Sequence, residues 1–542
     1  MSRPNTLKNY RQIGADLKAG VKGTFNLARA LPRFFRERIT VEQAEEEIKR
    51  LLDSRPENFL ELVRTRIYEC AGSPYLKLLK TAGCEFSDLR TQVRRHGLEA
   101  TLEQLAREGV YLTSDEFKGK KEVVRSGSSF RILPRSFELA DSSSGLFVQS
   151  SGTNNQPVLS FMTLDYLRPR ALATAVFFSA HDLFPCSHAL YDAILPGAGG
   201  TNNLLIFAKL GLATDRWFAR KLPVAGWLAA SHHYLTTYLI VLMGKWFGPG
   251  FPRPEFLEIR DIHRIVRWIL EKRRAGIPCC ITTAASNAAR IARVAMEMGT
   301  SLEGARFSVS GEPLTEAKCE AIKHVGAAVT LRYSFAPGTN VGYGCSNPVY
   351  TDEIHVNTHS LALIAHPQSL TADGSPVQPL LFTSIYPSAP VLLLNVEHGD
   401  YGTFSRRDCG CALERAGLTL HLHHIRSYEK FTSEGMNYFF GDLYDLFEKI
   451  LPSEFGGGPG DYQLVEEEDE KGQTRLSLLV HPEVGAADET KILLRLQERL
   501  SQGSSANRFQ AKIWQDAGTL RVKRGVPHAS ARGKILPLHI SR

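Results

Sequence analysis

From about residue 145 to about residue 425, short apolar runs alternate with helical segments, and that alternation restricts the region to an α/β domain built on parallel strands. Ala305-Arg306-Phe307-Ser308-Val309 and Val391-Leu392-Leu393-Leu394 have the strand pattern, while residues 260–275 and 285–298 have the helical one. Residues 40–125 read as helical, starting at a Thr40 cap with Glu42 and Glu45-Glu46-Glu47 in the first turns, where acids suit the helix dipole. Beyond residue 425 the character changes. Residues 442–451 read as a helix ended by Pro452, Gly456 to Gly460 as a loop, Tyr462-Gln463-Leu464-Val465 and Thr474–Val480 as strands, and 489–502 as a helix. At 542 residues the chain exceeds one ordinary core. The expectation is a large domain over residues 1–425, with a helical entry segment at 1–140, followed by a small α+β domain over 426–542.

Composition narrows the functional classes. A net charge of +8 is modest for this length, and no Lys/Arg block is interleaved with stacking aromatics, which argues against nucleic acid as a partner. The basic balance suits polyphosphate substrates. The nine scattered cysteines and the absence of a secretory pattern lead to an expectation of a reducing, cytoplasmic setting. The longest apolar run, residues 234–244, is too short and too polar to span a bilayer and reads as a buried helix. The first forty residues are rich in Lys and Arg, a pattern that reads as a solvated face or terminus.

One turn stands out chemically. Ser150-Ser151-Gly152-Thr153-Asn154-Asn155 combines a glycine with hydroxyl and amide side chains, so backbone N–H groups and hydroxyls can converge on an anion. It is not the lysine-bearing loop of ordinary nucleotide hydrolases, since no second glycine and no lysine follow. Further segments come in a set order: Ser310-Gly311-Glu312-Pro313-Leu314-Thr315, Leu331-Arg332-Tyr333-Ser334-Phe335, Glu397-His398-Gly399-Asp400, and Ala531-Arg532-Gly533-Lys534-Ile535.

Together with Ser73-Pro74-Tyr75 and Thr113-Ser114-Asp115-Glu116, these segments resemble the adenylate-forming superfamily, in its phenylacetate-CoA ligase-like branch, from about residue 70 onward. The resemblance implies a large adenylate-forming α/β domain and a small mobile C-terminal domain. It also implies ATP-dependent activation of a carboxylic acid as an acyl-adenylate, then acyl transfer to a thiol such as CoA. Ser150, Ser151, Gly152 and Thr153 would hold the pyrophosphoryl part; Gly311, Glu312 and Pro313 would wall the adenine slot; Tyr333 would stack on the base. Asp400 would accept the ribose hydroxyls, Arg426 would contact ribose or phosphate, and Lys534 would bridge the carboxylate and the α-phosphate.

The departures from the pattern matter. The superfamily's glutamate, which holds Mg²⁺ against the phosphates, is replaced by Pro337, whose side chain cannot ligate a metal. Two other readings stand beside the first: an acyl-protein synthetase or amide-forming adenylase whose acceptor is a carrier protein or amine, since no motif distinctive of CoA binding is readable, and a nucleotide-binding scaffold without turnover, which the lost glutamate and the altered phosphate loop raise. A homodimer is left open. Separately, Cys345, His355, Cys409 and Cys411 supply three thiolates and one imidazole, the donor set of a closed structural Zn²⁺ site. Their order also resembles that in several members of the same branch.

Overall fold

A computed structural model describes residues 23–119, 121–137, 145–149, 159–195, 197–219, 227–311, 313–335, 339–366, 378–427, 431–433, 436–438, 441–468, 474–501, 520–529, 535 and 537–540. Its centre is a twelve-stranded sheet. In chain order the strands are β1 (Ser187–Tyr191), β2 (Thr214–Ala219), β3 (Pro254–Phe256), β4 (Cys279–Ala284), β5 (Ala305–Ser310), β6 (Ala328–Phe335), β7 (Thr339–Gly344), β8 (Ile354–Val356), β9 (Leu361–Ala365), β10 (Pro379–Ser384), β11 (Val396–Arg406) and β12 (Leu420–Ser427). Across the sheet they run β9-β10-β11-β12-β8-β7-β6-β5-β4-β1-β2-β3.

The half from β3 to β6 is wholly parallel, and every pairing from β6–β7 through β12 to β9 is antiparallel where strand partners are recorded. Parallel strands are covered on both faces, which is why β4, Cys-Cys-Ile-Thr-Thr-Ala, is buried at every position. Its side chains alternate between two cores. Cys279 and Ile281 join Phe307, Leu331 and the entry-segment residues Tyr75 and Leu102, whereas Cys280 joins Leu190, Phe177 and Tyr343.

The entry segment is helical as expected through Phe117. Thr40 caps Val41–Asp53 in a reciprocal box with Gln43, its hydroxyl accepting from the Gln43 N–H at 3.2 Å. Thr113 and Glu116 repeat the device, and Arg125 then holds both Glu116 oxygens at 2.9 Å. The expectation of helix out to residue 125 is wrong: Val123–Arg125 pairs antiparallel with Ser128–Phe130. Ser126 and Gly127 both take positive φ, 44° and 79°, a two-residue turn whose twist suits a hairpin and interrupts a helix.

Two further expectations need correction. The apolar run at 234–244 lies in a helix, Trp227–Phe247, that is not buried all round; Ile240 and Val241 face the core, but Leu235 is 71% exposed and Leu242 42%. Pro452 does not end a helix. A π-turn over Leu446–Ile450 restarts the helix as Leu451–Phe455, placing Pro452 in a first turn, where its missing N–H breaks no bond. Among the described residues no helix is long and apolar enough to cross a membrane.

The small C-terminal unit is α+β. A four-stranded sheet orders Leu520–Arg524, Thr474–Val480, Tyr462–Glu468 and Leu538–Ile540, and the helix Glu489–Leu500 buries Ile492, Leu496 and Leu500 against it. Charged side chains join this unit to the large domain. Arg293 donates to both oxygens of buried Asp461 at 2.7 and 2.9 Å, Lys318 meets Glu448 at 2.9 Å with both side chains buried, and Thr315 donates its hydroxyl to the same Glu448. Removing one partner of such a pair deprives a buried charge of its ion pair. Glu448→Ala is accordingly expected to destabilise the docked small unit by about 3–5 kcal/mol, read as an earlier first transition in urea unfolding. A wild-type unfolding curve would show that Lys318–Glu448 does not hold the two units together.

Candidate functional site

The carboxyl ends of β5 and β6 lie side by side in parallel, and ligands of open α/β sheets bind at such ends. The chain leaves β5 through Gly311 at φ +88°, a conformation that favours glycine, before Pro313 and the Thr315 cap of the helix Glu316–His324. Two and three strands away from β7, β12 and β11 carry Arg426 and Asp400, with Asp400 opposite Ser427 and Tyr401 opposite Arg426. The hydroxyl of Tyr333, at the end of β6, donates to Asp400 Oδ2 at 2.5 Å. Burial and then the neighbouring carboxylate hold the Tyr333 hydroxyl well above its ordinary pKa, so it stays protonated and remains a donor.

Sequence reasoning placed a strand at Val391-Leu392-Leu393-Leu394, with Asp400 beyond it. That segment is buried but outside the strands, and the strand proper begins at Val396, so Asp400 sits mid-strand with its backbone held by the ladder. Arg426 is also more constrained than its motif indicated. Its Nη1 donates to Asp352 Oδ2 at 2.8 Å, and buried Asp352 also accepts the backbone N–H groups of His424 and Ile425 at 2.9 and 2.8 Å. No motif signalled Asp352; it lies in the connection before β8, far from Arg426 in sequence. Ser150, Ser151, Gly152, Thr153, Glu312, Pro337 and Lys534 lie outside the described residues. Lys534 immediately precedes Ile535, which is buried and bridges antiparallel to Ala529.

The four predicted metal donors do converge. Cys345 immediately follows β7, His355 is central in β8, and Cys409 and Cys411 flank Gly410 in the turn between β11 and β12; their ligand atoms all lie within 4.8 Å of one another. His355 Nδ1 contacts the Leu418 carbonyl at 2.6 Å, which directs Nε2 at Cys411 Sγ and Cys409 Sγ, 3.1 and 3.5 Å away. Tetrahedral zinc with thiolate and imidazole ligands requires ligand separations of roughly 3.5–3.8 Å, so the residues present fit a closed site with small adjustments. The loop is built for the purpose locally: Gly410 takes φ +71°, and the Glu414 carboxylate accepts the N–H groups of Cys409 and Gly410 at 2.8 and 2.5 Å.

Sequence reasoning missed the surroundings of this cluster. His421, fully buried on β12, packs with its ring tilted against that of His355 at a centroid distance of 4.1 Å, and its Nδ1 lies 2.6 Å from Glu353, which Arg407 also holds at 2.8 Å. A histidine-rich strand, His421-Leu422-His423-His424, was the available signal, but only strand pairing sets His421 opposite His355. A cavity of about 1150 Å³ lies elsewhere, lined by Cys186, His188, Thr214, Asp215, Trp246 and Phe251 among others. Those residues include the amino ends of β1 and β2, so this cavity opens at the opposite edge of the parallel sheet from Tyr333, and volume alone does not make it the reaction site.

No family model and no curated protein matches the sequence. Solved structures do. The chain is similar to a 2-hydroxyisobutyryl-CoA ligase in the postadenylation state in complex with R3-HIB-AMP, with a TM-score of 0.54 and 15% identity over 94% of this chain and 91% of that one. The same ligase in the postadenylation state in complex with 2-HIB-AMP gives a TM-score of 0.52 at 15% identity over the same shares. The fold is therefore shared with that ligase along most of both chains.

Proposed function

We propose that this chain activates a carboxylic acid with ATP as an acyl-adenylate, releasing pyrophosphate, and passes the acyl group to a thiol such as CoA. The observation that carries this reading is the Tyr333–Asp400 pair at the carboxyl edge of the sheet, in a chain whose fold matches, along most of its length, a ligase resolved with an acyl-adenylate. Asp400 offers a fixed carboxylate to the ribose hydroxyls, Tyr333 a ring to the base, and Gly311, Glu312 and Pro313 a wall beside it. Ser150, Ser151, Gly152 and Thr153 supply donors to the departing pyrophosphate, Arg426 to ribose or phosphate, and Lys534 to the α-phosphate. With Pro337 in place of the usual acid, Mg²⁺ is carried chiefly by the nucleotide's own phosphates. Cys345, His355, Cys409 and Cys411 hold a structural Zn²⁺ that clamps β7–β8 to the β11–β12 turn.

Two measurements test the reading. ATP–pyrophosphate exchange is expected with at least one acid in a panel of aromatic, aliphatic and amino acids; none in the folded protein, with ATP still bound, would favour the scaffold reading that Pro337 motivates. Asp400→Ala is expected to raise the KM for ATP about ten- to a hundredfold, the loss of hydrogen bonds to a charged acceptor. An unchanged KM for ATP would remove Asp400 from the ribose site. Preformed acyl-adenylate offered CoA, a carrier protein or small amines then identifies the acceptor.

A further inference from the structure

Side chains alternate across β6. Tyr333 reaches Asp400, while its neighbour Arg332, only 8% exposed, reaches the helix Ala198–Lys209 and donates from Nη1 to Asn203 Oδ1 at 2.9 Å. Arg332 Nε is buried without a hydrogen-bond partner. On the same face Arg170, from the helix Leu167–Ala180, buries Nε and Nη1 that also lack partners. The backbone carbonyl of Arg170 accepts from Thr174 at 2.7 Å and from Tyr343 at 3.3 Å, which keeps this turn of helix against β7. Among the described residues neither guanidinium forms an ion pair. Burial holds both below the ordinary arginine range, and in Arg332 the charge of Arg170 adds to that effect while Tyr343 and Asp192 oppose it.

Two like charges buried together with unused donors are unfavourable unless an anion completes them. Arg332 is opposite Tyr343 in the β6–β7 ladder and the Tyr343 hydroxyl reaches the Arg170 carbonyl, so both arginines lie on the face of the sheet away from Asp400 and from a nucleotide held there. Guanidinium forks with free N–H groups match a carboxylate. We propose that Arg170 and Arg332 bind a second carboxylate at the far end of the substrate, so that the acid activated is a dicarboxylic one. This inference rests on the acyl-activation reading for its catalytic consequence, though not for binding.

The test pairs each of a series of diacids, from malonate to suberate with the benzene dicarboxylates, with its monomethyl ester. Binding is read first, without ATP, as the shift in melting temperature of the full chain. At least one diacid is expected to stabilise wild type while its half-ester does not, and the shift is expected to vanish in Arg332→Met and Arg170→Met but survive in part in Arg332→Lys. Pyrophosphate exchange is then expected to favour that diacid over its half-ester by about a hundredfold in kcat/KM, a preference that collapses toward one in the Met variants with the KM for ATP unchanged. The proposal is overturned if no diacid stabilises the chain, if half-esters serve as well as diacids, or if the Met variants lose ATP affinity instead, which would make the triphosphate the anion bound. Diacid binding without exchange for any acid would leave the subsite standing and sink the ligase reading alone.

Discussion

Lys534→Ala is expected to slow formation of the acyl-adenylate by about two to four powers of ten, the scale of deleting a principal electrostatic donor. Charge accumulates on the α-phosphate only while pyrophosphate leaves, so a cation placed there lowers that barrier and no later one. Discharge of preformed acyl-adenylate to the thiol is therefore expected to stay within about twofold of wild type. The small domain carries this lysine next to buried Ile535, in a unit joined to the large domain by Arg293–Asp461 and Lys318–Glu448. An equal fall in both half-reactions would make Lys534 a support for that junction, and no fall in either would remove it from the chemistry. Single-turnover kinetics of each half-reaction, run separately, decide between these outcomes.

Cys411→Ser is expected to abolish stoichiometric zinc, measured by elemental analysis of the purified protein, and to lower the melting temperature by roughly 5 °C or more, since metal bound to the native state alone adds to stability. Cys411 is buried, caps the helix Ala412–Arg415 and lies 3.1 Å from His355 Nε2, so its loss opens the coordination shell from the inside. Exhaustive chelation of wild type is expected to produce the same shift and re-addition of Zn²⁺ to reverse it. Cys70→Ser, at an exposed cysteine remote from the cluster, serves as the control and is expected to change neither quantity. Protein that purifies without metal and melts identically after chelation would leave the four side chains as ordinary buried thiols and an imidazole.

Much of the architecture could be read directly because it depends on local periodicity and on residues with special backbone or side-chain chemistry. The alternation of apolar runs identifies an α/β sheet, the Thr40 and Thr113 boxes mark helix starts, and Gly311 sits where a positive φ is required. Where the local signal was misleading, packing or turn geometry explains why. Pro452 looks like a stop but falls in a first turn, and the run at 234–244 carries apolar residues such as Leu235 and Leu242 on the side that does not meet the core.

Pairing across long stretches of chain is a different matter. The order of motifs resembling a known superfamily marked Tyr333, Asp400 and Arg426, the donor types marked the Cys/His quartet, and the structure brings Tyr333 to Asp400 and the four metal donors to one point. That Arg426 is tied to Asp352, that His421 and Glu353 back the metal cluster, and that Arg170 and Arg332 are buried on one face of the sheet are decided only by strand register and helix packing. Such contacts join residues tens to hundreds of positions apart, and nothing in a linear pattern encodes which of many buried polar groups will share a face. The sequence by itself thus determined the elements and the chemical repertoire, whereas the tertiary structure decided the partners, because burial makes an unpaired charge costly only after folding has chosen its neighbours.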